Sequence, residues 1–262
     1  MSTLGSAHLC IVLGRSVRLA WSIGKTGWMN RVLVYAGVAA ANVLTAGSRR
    51  RTLRAVHLVT KPTLMPLLGW ATRPRSGRVR LALATACAGD TAMMLGGNVG
   101  LAGAIAGFTA THSSYLSALP RYGRGAGLHV TAVTTAGSLA ALGLAGVVLG
   151  PRLRTCPNPV VAVPILGYAA LVTATGAAAV GTGVARGPSG RPVVAGGVLF
   201  VISDVLIAVG KFGPQPVPGR RDPHRVLEPA AMATYCLAQY LLACHLDDAD
   251  READAAGGGR LG

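Results

Sequence analysis

Eight stretches of the chain are apolar for about as long as a helix needs to cross a bilayer, roughly 20 residues. They cover residues 32–46, 53–71, 79–96, 99–119, 128–150, 160–183, 192–210 and 229–246. The breaks between them carry Arg, Gly and Pro: Ser48–Arg51, Arg73–Arg80, Pro120–Gly127, Pro151–Pro159, Arg186–Pro192 and Gly213–Pro229. The break at Gly96–Asn98 is so short that the third and fourth segments must form an antiparallel pair. Such a pattern predicts an all-α fold, a polytopic transmembrane helical bundle of about eight spans.

Charge supports that architecture. Only 13% of the residues are charged, where a soluble domain carries about 25%. Lys and Arg number 25 against 9 Asp and Glu, a formal net charge of +16. The arginines sit in short breaks between apolar runs, where they meet anionic headgroups. That placement argues against nucleic acid, which needs a basic face on one folded unit. Residues 1–31 read as a basic N-terminal extension without the long apolar core of a signal peptide. Residues 32–246 form the transmembrane domain, and 247–262 an acidic, Gly-rich, disordered tail. An even number of spans puts both termini on one side, and the loop charges favour the cytoplasm.

Of the nine acidic residues, Asp247, Asp248, Asp250, Glu252 and Asp254 lie in the tail, and Asp222 and Glu228 in a Pro/Arg-rich stretch. Asp90 and Asp204 alone stand inside apolar runs. A charge at the bilayer centre costs about 2.5–3.5 kcal/mol on insertion scales, so such groups normally face the bundle interior and mark a site. Lys61 is the matching cation. It shares a helix face with His57 four residues earlier, unless it snorkels to the headgroups. Pro62 and Pro66 should bend this segment and free carbonyls nearby. Phe108, His112 and Tyr115 share a face in the fourth segment, and Tyr235 and Gln239 in the eighth. The five cysteines show no CxxC, and the histidines no HxxxH spacing. Neither a disulfide framework, a metal site nor a cofactor follows.

These motifs occur in a particular order: Thr60-Lys61-Pro62, Gly89-Asp90, Gly107-Phe108 with His112-x2-Tyr115, Gly197-x2-Phe200-x2-Ser203-Asp204, and Thr234-Tyr235-x3-Gln239. In this the chain resembles the YhhN family of membrane proteins, which includes the lysoplasmalogenases. The resemblance implies a multi-pass hydrolase of the cell membrane that cleaves the vinyl ether bond of a lysophospholipid. Its products would be a fatty aldehyde and a glycerophospho-ethanolamine or -choline. It places the family's two acidic positions on Asp90 and Asp204 and its lysine on Lys61. The family's usual aromatic after the segment-eight tyrosine is Cys236 here.

Vinyl ether hydrolysis needs a proton donor to carbon, a negative group near the resulting oxocarbenium ion, and a placed water. Two carboxyls in different environments, one neutral and one ionised, supply the first two, as in glycosidases. Asp204, flanked by Val205 and Phe200, is the expected acid, and Asp90 the cation stabiliser. Lys61 and His57 are expected to hold the phosphate. His112, Tyr115, Ser203, Tyr235 and Gln239 complete the substrate-binding set. The competing reading is a transporter or proton- or ion-coupled carrier, in which buried Asp and Lys form a relay. Segments three and seven each carry a mid-span Asp after glycine, a faint hint of the duplication such a carrier would show. Partners expected are the lysophospholipid and membrane lipids; the sequence is silent on oligomeric state.

Overall fold

The computed structural model describes residues 27–48, 50–122, 136, 143, 159–212 and 224–258. Among them are seven α-helices and no strand. They are α1 (27–45), α2 (Arg51–Thr72), α3 (Gly77–Leu95), α4 (Gly97–Tyr122), α5 (Pro159–Ala185), α6 (Arg191–Phe212) and α7 (His224–Gly258). A short 3₁₀ turn, Gly187–Gly190, joins α5 to α6. Seven of the eight apolar runs fall on these helices; the run at 128–150, apart from residues 136 and 143, lies outside the described residues.

Eight spans are more than these helices support. Among the described residues, two stretches are long and apolar enough to cross a membrane, Pro164–Ala185 and Gly187–Lys211. The reason is chemical. α2 opens on Arg51 and Arg54 and holds Lys61, α3 carries Arg78, Arg80 and Asp90, and α4 is rich in Thr and Ser. Each such group lowers the free energy gained on entering lipid.

Two boundaries also move. α1 is already helical at residue 27, the first described, and so overlaps the expected N-terminal extension. The expected disordered tail is helical as far as Gly258. Composition suggested solvation there, but Asp247 is 3% exposed. Its Oδ1 accepts from the backbone N–H groups of Arg75 and Ser76, each at 2.7 Å. These donors belong to the α2–α3 turn, whose free N–H groups need acceptors. One acidic residue thus ties the far part of α7 to that turn.

The pairs α2–α3, α3–α4, α5–α6 and α6–α7 run antiparallel. In α3 and α4, Gly89 faces Gly107, Ala92 faces Gly103, and Thr85 Oγ1 lies 3.0 Å from Thr111 Oγ1. The turn needs Gly96 and Gly97, at φ 69° and 60°, in the left-handed region that other residues enter at a cost. α7 packs against α2, α3, α4 and α6, and Tyr35 of α1 donates to its Cys236 carbonyl at 2.9 Å. α2 and α7 run parallel, since Glu228 lies near His57 and Asp247 at the far end of α2.

The small-residue spacing of α4 serves the α3–α4 pair. A methyl group on Gly107 would stand 2.7 Å from the Gly89 backbone nitrogen and Cα. Backbone cannot swing aside as a side chain can, so Gly107→Ala must part the two helices. Overpacking of this kind costs about 1–3 kcal/mol. Gly107→Ala should therefore unfold at lower denaturant concentration in detergent than the wild type, measured by far-UV circular dichroism.

Candidate active site

The α3–α4 close approach explains why glycine precedes Asp90. A side chain at Gly89 would meet the Phe108 ring at 3.2 Å, so glycine lets Phe108 pack flat behind α3. Asp90 then turns inward, 2% exposed, toward α2 and α7. The Tyr235 hydroxyl donates to Asp90 Oδ2 at 2.7 Å, and Lys61 Nζ lies 3.8 Å from Oδ1. Lys61 Nζ also donates to Met93 Sδ at 3.5 Å, one turn along α3. Lys61 is itself 8% exposed, so it does not snorkel out of the bundle. Asp90 is a paired, hydrogen-bonded carboxylate, the condition under which a buried charge is tolerated.

Asp204 has a different setting. Its side chain is 17% exposed, and its Oδ2 lies 3.4 Å from His112 Nε2 without the alignment of a hydrogen bond. His112 is fully buried between two rings, Phe200 at 4.5 Å and Tyr168 at 5.8 Å between centroids. The Tyr168 hydroxyl lies beside the Asp204 carboxylate, again without an aligned hydrogen bond.

Phe200 is the plate that joins the two halves. It also meets Tyr235 edge-on at 5.8 Å and Tyr115 at 6.4 Å. Phe108 meets Tyr235 at 6.1 Å from the other side. Tyr235 thus links Asp90 to the ring cluster around His112 and Asp204. Four helices, α3, α4, α6 and α7, deliver these groups to one place, with α2 and α5 supplying Lys61 and Tyr168.

The remaining expected residues divide. Tyr115 donates to Gln239 Oε1 at 2.6 Å, both fully buried, with Gln239 Nε2 left without a partner. Ser203 does not join the site. Its hydroxyl donates to the Ala231 carbonyl at 3.0 Å and stitches α6 to α7. His57 lies one helical turn from Lys61 but is engaged elsewhere, with Nδ1 3.3 Å from the Asn42 carbonyl and Nε2 3.8 Å from Glu228 Oε1. It stands at the rim of the site, at the end where α2 and α7 begin.

Sequence reasoning missed Tyr168 and Asn42. Tyr168 is the one phenol of α5, whose other polar residues are threonines, and Asn42 stands in the apolar part of α1, twelve positions from Asn30. Each was visible as an isolated polar residue, yet neither had a partner at helical spacing to signal it. Asn42 is fully buried, and its Nδ2 donates to Thr60 Oγ1 at 2.9 Å. Among the described residues, no three His, Cys, Asp or Glu gather as a metal site.

Chemically, the cluster offers a buried carboxyl at Asp90 beside a lysine, a more accessible carboxyl at Asp204, and an imidazole beside the latter. Pairs of carboxyls set in unlike surroundings are how one site supplies both a proton donor and a stabilising anion. A family model described as the YhhN family matches residues 56–246. No curated protein and no solved structure matches the chain.

Proposed function

Since the chain belongs to the YhhN family, we propose that it is a membrane-embedded, multi-pass hydrolase of lysoplasmalogens. It cleaves their vinyl ether bond to a fatty aldehyde and a glycerophospho-ethanolamine or -choline. Two helices of sufficient length and apolarity, together with the family, support the membrane location. Both termini are assigned to the cytoplasmic side.

The observation that carries the reading is the unequal pair of carboxyls. Asp90 is held by Lys61 and Tyr235 and serves as the anion that faces the developing cation. Asp204, more accessible and free of strong donors, carries the proton to the vinyl β-carbon. The π electrons form the new C–H bond, leaving an oxocarbenium ion between the carboxylates. Water then adds, and the hemiacetal collapses to aldehyde and alcohol. Lys61 and His57, one helical turn apart or about 6 Å, take the phosphate along the line from the reacting carbon to the rim. Tyr115 and Gln239 orient the glycerol hydroxyl.

The test is product analysis by mass spectrometry, using purified protein in detergent. Lysoplasmenyl-ethanolamine and -choline should release aldehyde, whereas their alkyl-ether and acyl analogues should not, because neither has an enol-ether carbon to protonate. Ion flux in vesicles without turnover of any lysolipid would overturn the reading in favour of a carrier.

A further inference from the structure

Buried polar groups are almost always hydrogen-bonded, and exceptions call for an explanation. On the Asp90 side both carboxylate oxygens have a partner, the Tyr235 hydroxyl and Lys61. On the Asp204 side four buried atoms have no hydrogen-bond partner among the described residues: both ring nitrogens of His112, the Tyr168 hydroxyl and Asp204 Oδ2. They come from α4, α5 and α6 and meet within one shell. His112 Nε2 is 3.4 Å from Asp204 Oδ2, the His112 and Tyr168 rings are 5.8 Å apart, and the Tyr168 hydroxyl is beside the carboxylate. Phe200, at 4.5 Å, closes the other face of the imidazole.

The set contains both donors and an acceptor. A tyrosine hydroxyl and an imidazole N–H donate, and a carboxylate oxygen accepts. Water is the small molecule that can serve His112 Nε2, the Tyr168 hydroxyl and Asp204 Oδ2 at once, since it makes about three hydrogen bonds when buried.

We propose that Tyr168 is a catalytic residue that, with His112 and Asp204, seats the water that attacks the oxocarbenium ion. This rests on the vinyl ether reading above and names the part of the site that supplies the nucleophile. Asp204 first gives its proton to the β-carbon and becomes a carboxylate. Tyr168 and His112 hold the water oxygen with a lone pair toward the cationic carbon. As the new C–O bond forms, one water proton passes to Asp204, which restores its acid form and leaves a neutral hemiacetal. The bond to the glycerol oxygen then breaks as that oxygen takes up a proton and the hemiacetal hydroxyl loses one. No other reactant is needed.

Tyr168→Phe keeps the ring and removes the hydroxyl. In the wild type, proton transfer to carbon limits the rate, so aldehyde release in D2O should show a primary solvent isotope effect. Tyr168→Phe should release aldehyde about 100-fold more slowly, and its isotope effect should shrink toward unity, because water addition now limits. A wild-type rate, or a slowed rate with an undiminished isotope effect, overturns the proposal. If Tyr168→Phe does not fold, His112→Asn is read by the same two measurements with the same outcomes expected. Absence of aldehyde release by the wild type overturns the vinyl ether reading itself. Normal wild-type release with unaltered variants overturns only the water seat.

Discussion

Asp204→Asn is expected to lower aldehyde release from a lysoplasmenyl lipid by about 100- to 10,000-fold while leaving the fold intact. A positioned general acid contributes a factor of this size, equivalent to about 3–5 kcal/mol of barrier at 1.36 kcal/mol per tenfold. Asparagine has the shape of the acid but no proton acidic enough to give to carbon. The fold should tolerate the change because asparagine keeps the shape of the side chain. Asp204 Oδ2 lacks a hydrogen bond, and the Asp204 side chain is the more accessible of the two carboxyls. Turnover at constant substrate and unfolding midpoint in detergent are the two measurements. A variant with wild-type turnover sinks the assignment of Asp204 as the acid.

Lys61→Met should behave in the opposite way, damaging stability as well as turnover. Lys61 is the cation facing Asp90 at 3.8 Å, and both are nearly sealed from solvent. Removing one partner of a buried pair strands the other charge, at a cost of about 3–5 kcal/mol. The Tyr235 hydroxyl at 2.7 Å recovers only part of it. Adding Asp90→Asn to Lys61→Met removes the stranded charge, so the double variant should regain most of the lost stability. It should not regain turnover, because the anion that faces the cation is gone. Denaturant titration of the two singles and the double isolates this coupling. Strictly additive losses would mean that Lys61 and Asp90 do not form a working pair.

The helices were legible because apolar runs are long and their breaks are rich in Arg, Gly and Pro. The same is true of Asp90, Asp204 and Lys61, which stand out against apolar surroundings. What could not be read lies in contacts between distant segments. Asp247 sits in an acidic, hydrophilic stretch, and its burial depends on the α2–α3 turn, more than 170 positions away. Ser203 adjoins Asp204 in the chain, yet its hydroxyl points to α7 and not to the site. Helix rotation decides that, and adjacent residues on a helix lie about 100° apart. Tyr168 enters only because α5 packs between α4 and α6. Among the described residues two of the eight expected spans stand out as apolar enough to cross a membrane, because charge, Thr and Ser within the other runs lower their apolarity.

Delivery of a proton to carbon is the step on which the proposed chemistry turns, and deuterium records it. Purified protein given a lysoplasmenyl lipid in D2O should release aldehyde carrying one deuteron on the carbon next to the carbonyl. Authentic aldehyde incubated alongside should stay unlabelled. Aldehyde without deuterium, or no aldehyde at all, would contradict a carboxyl-to-carbon proton transfer at the Asp90–Asp204 site.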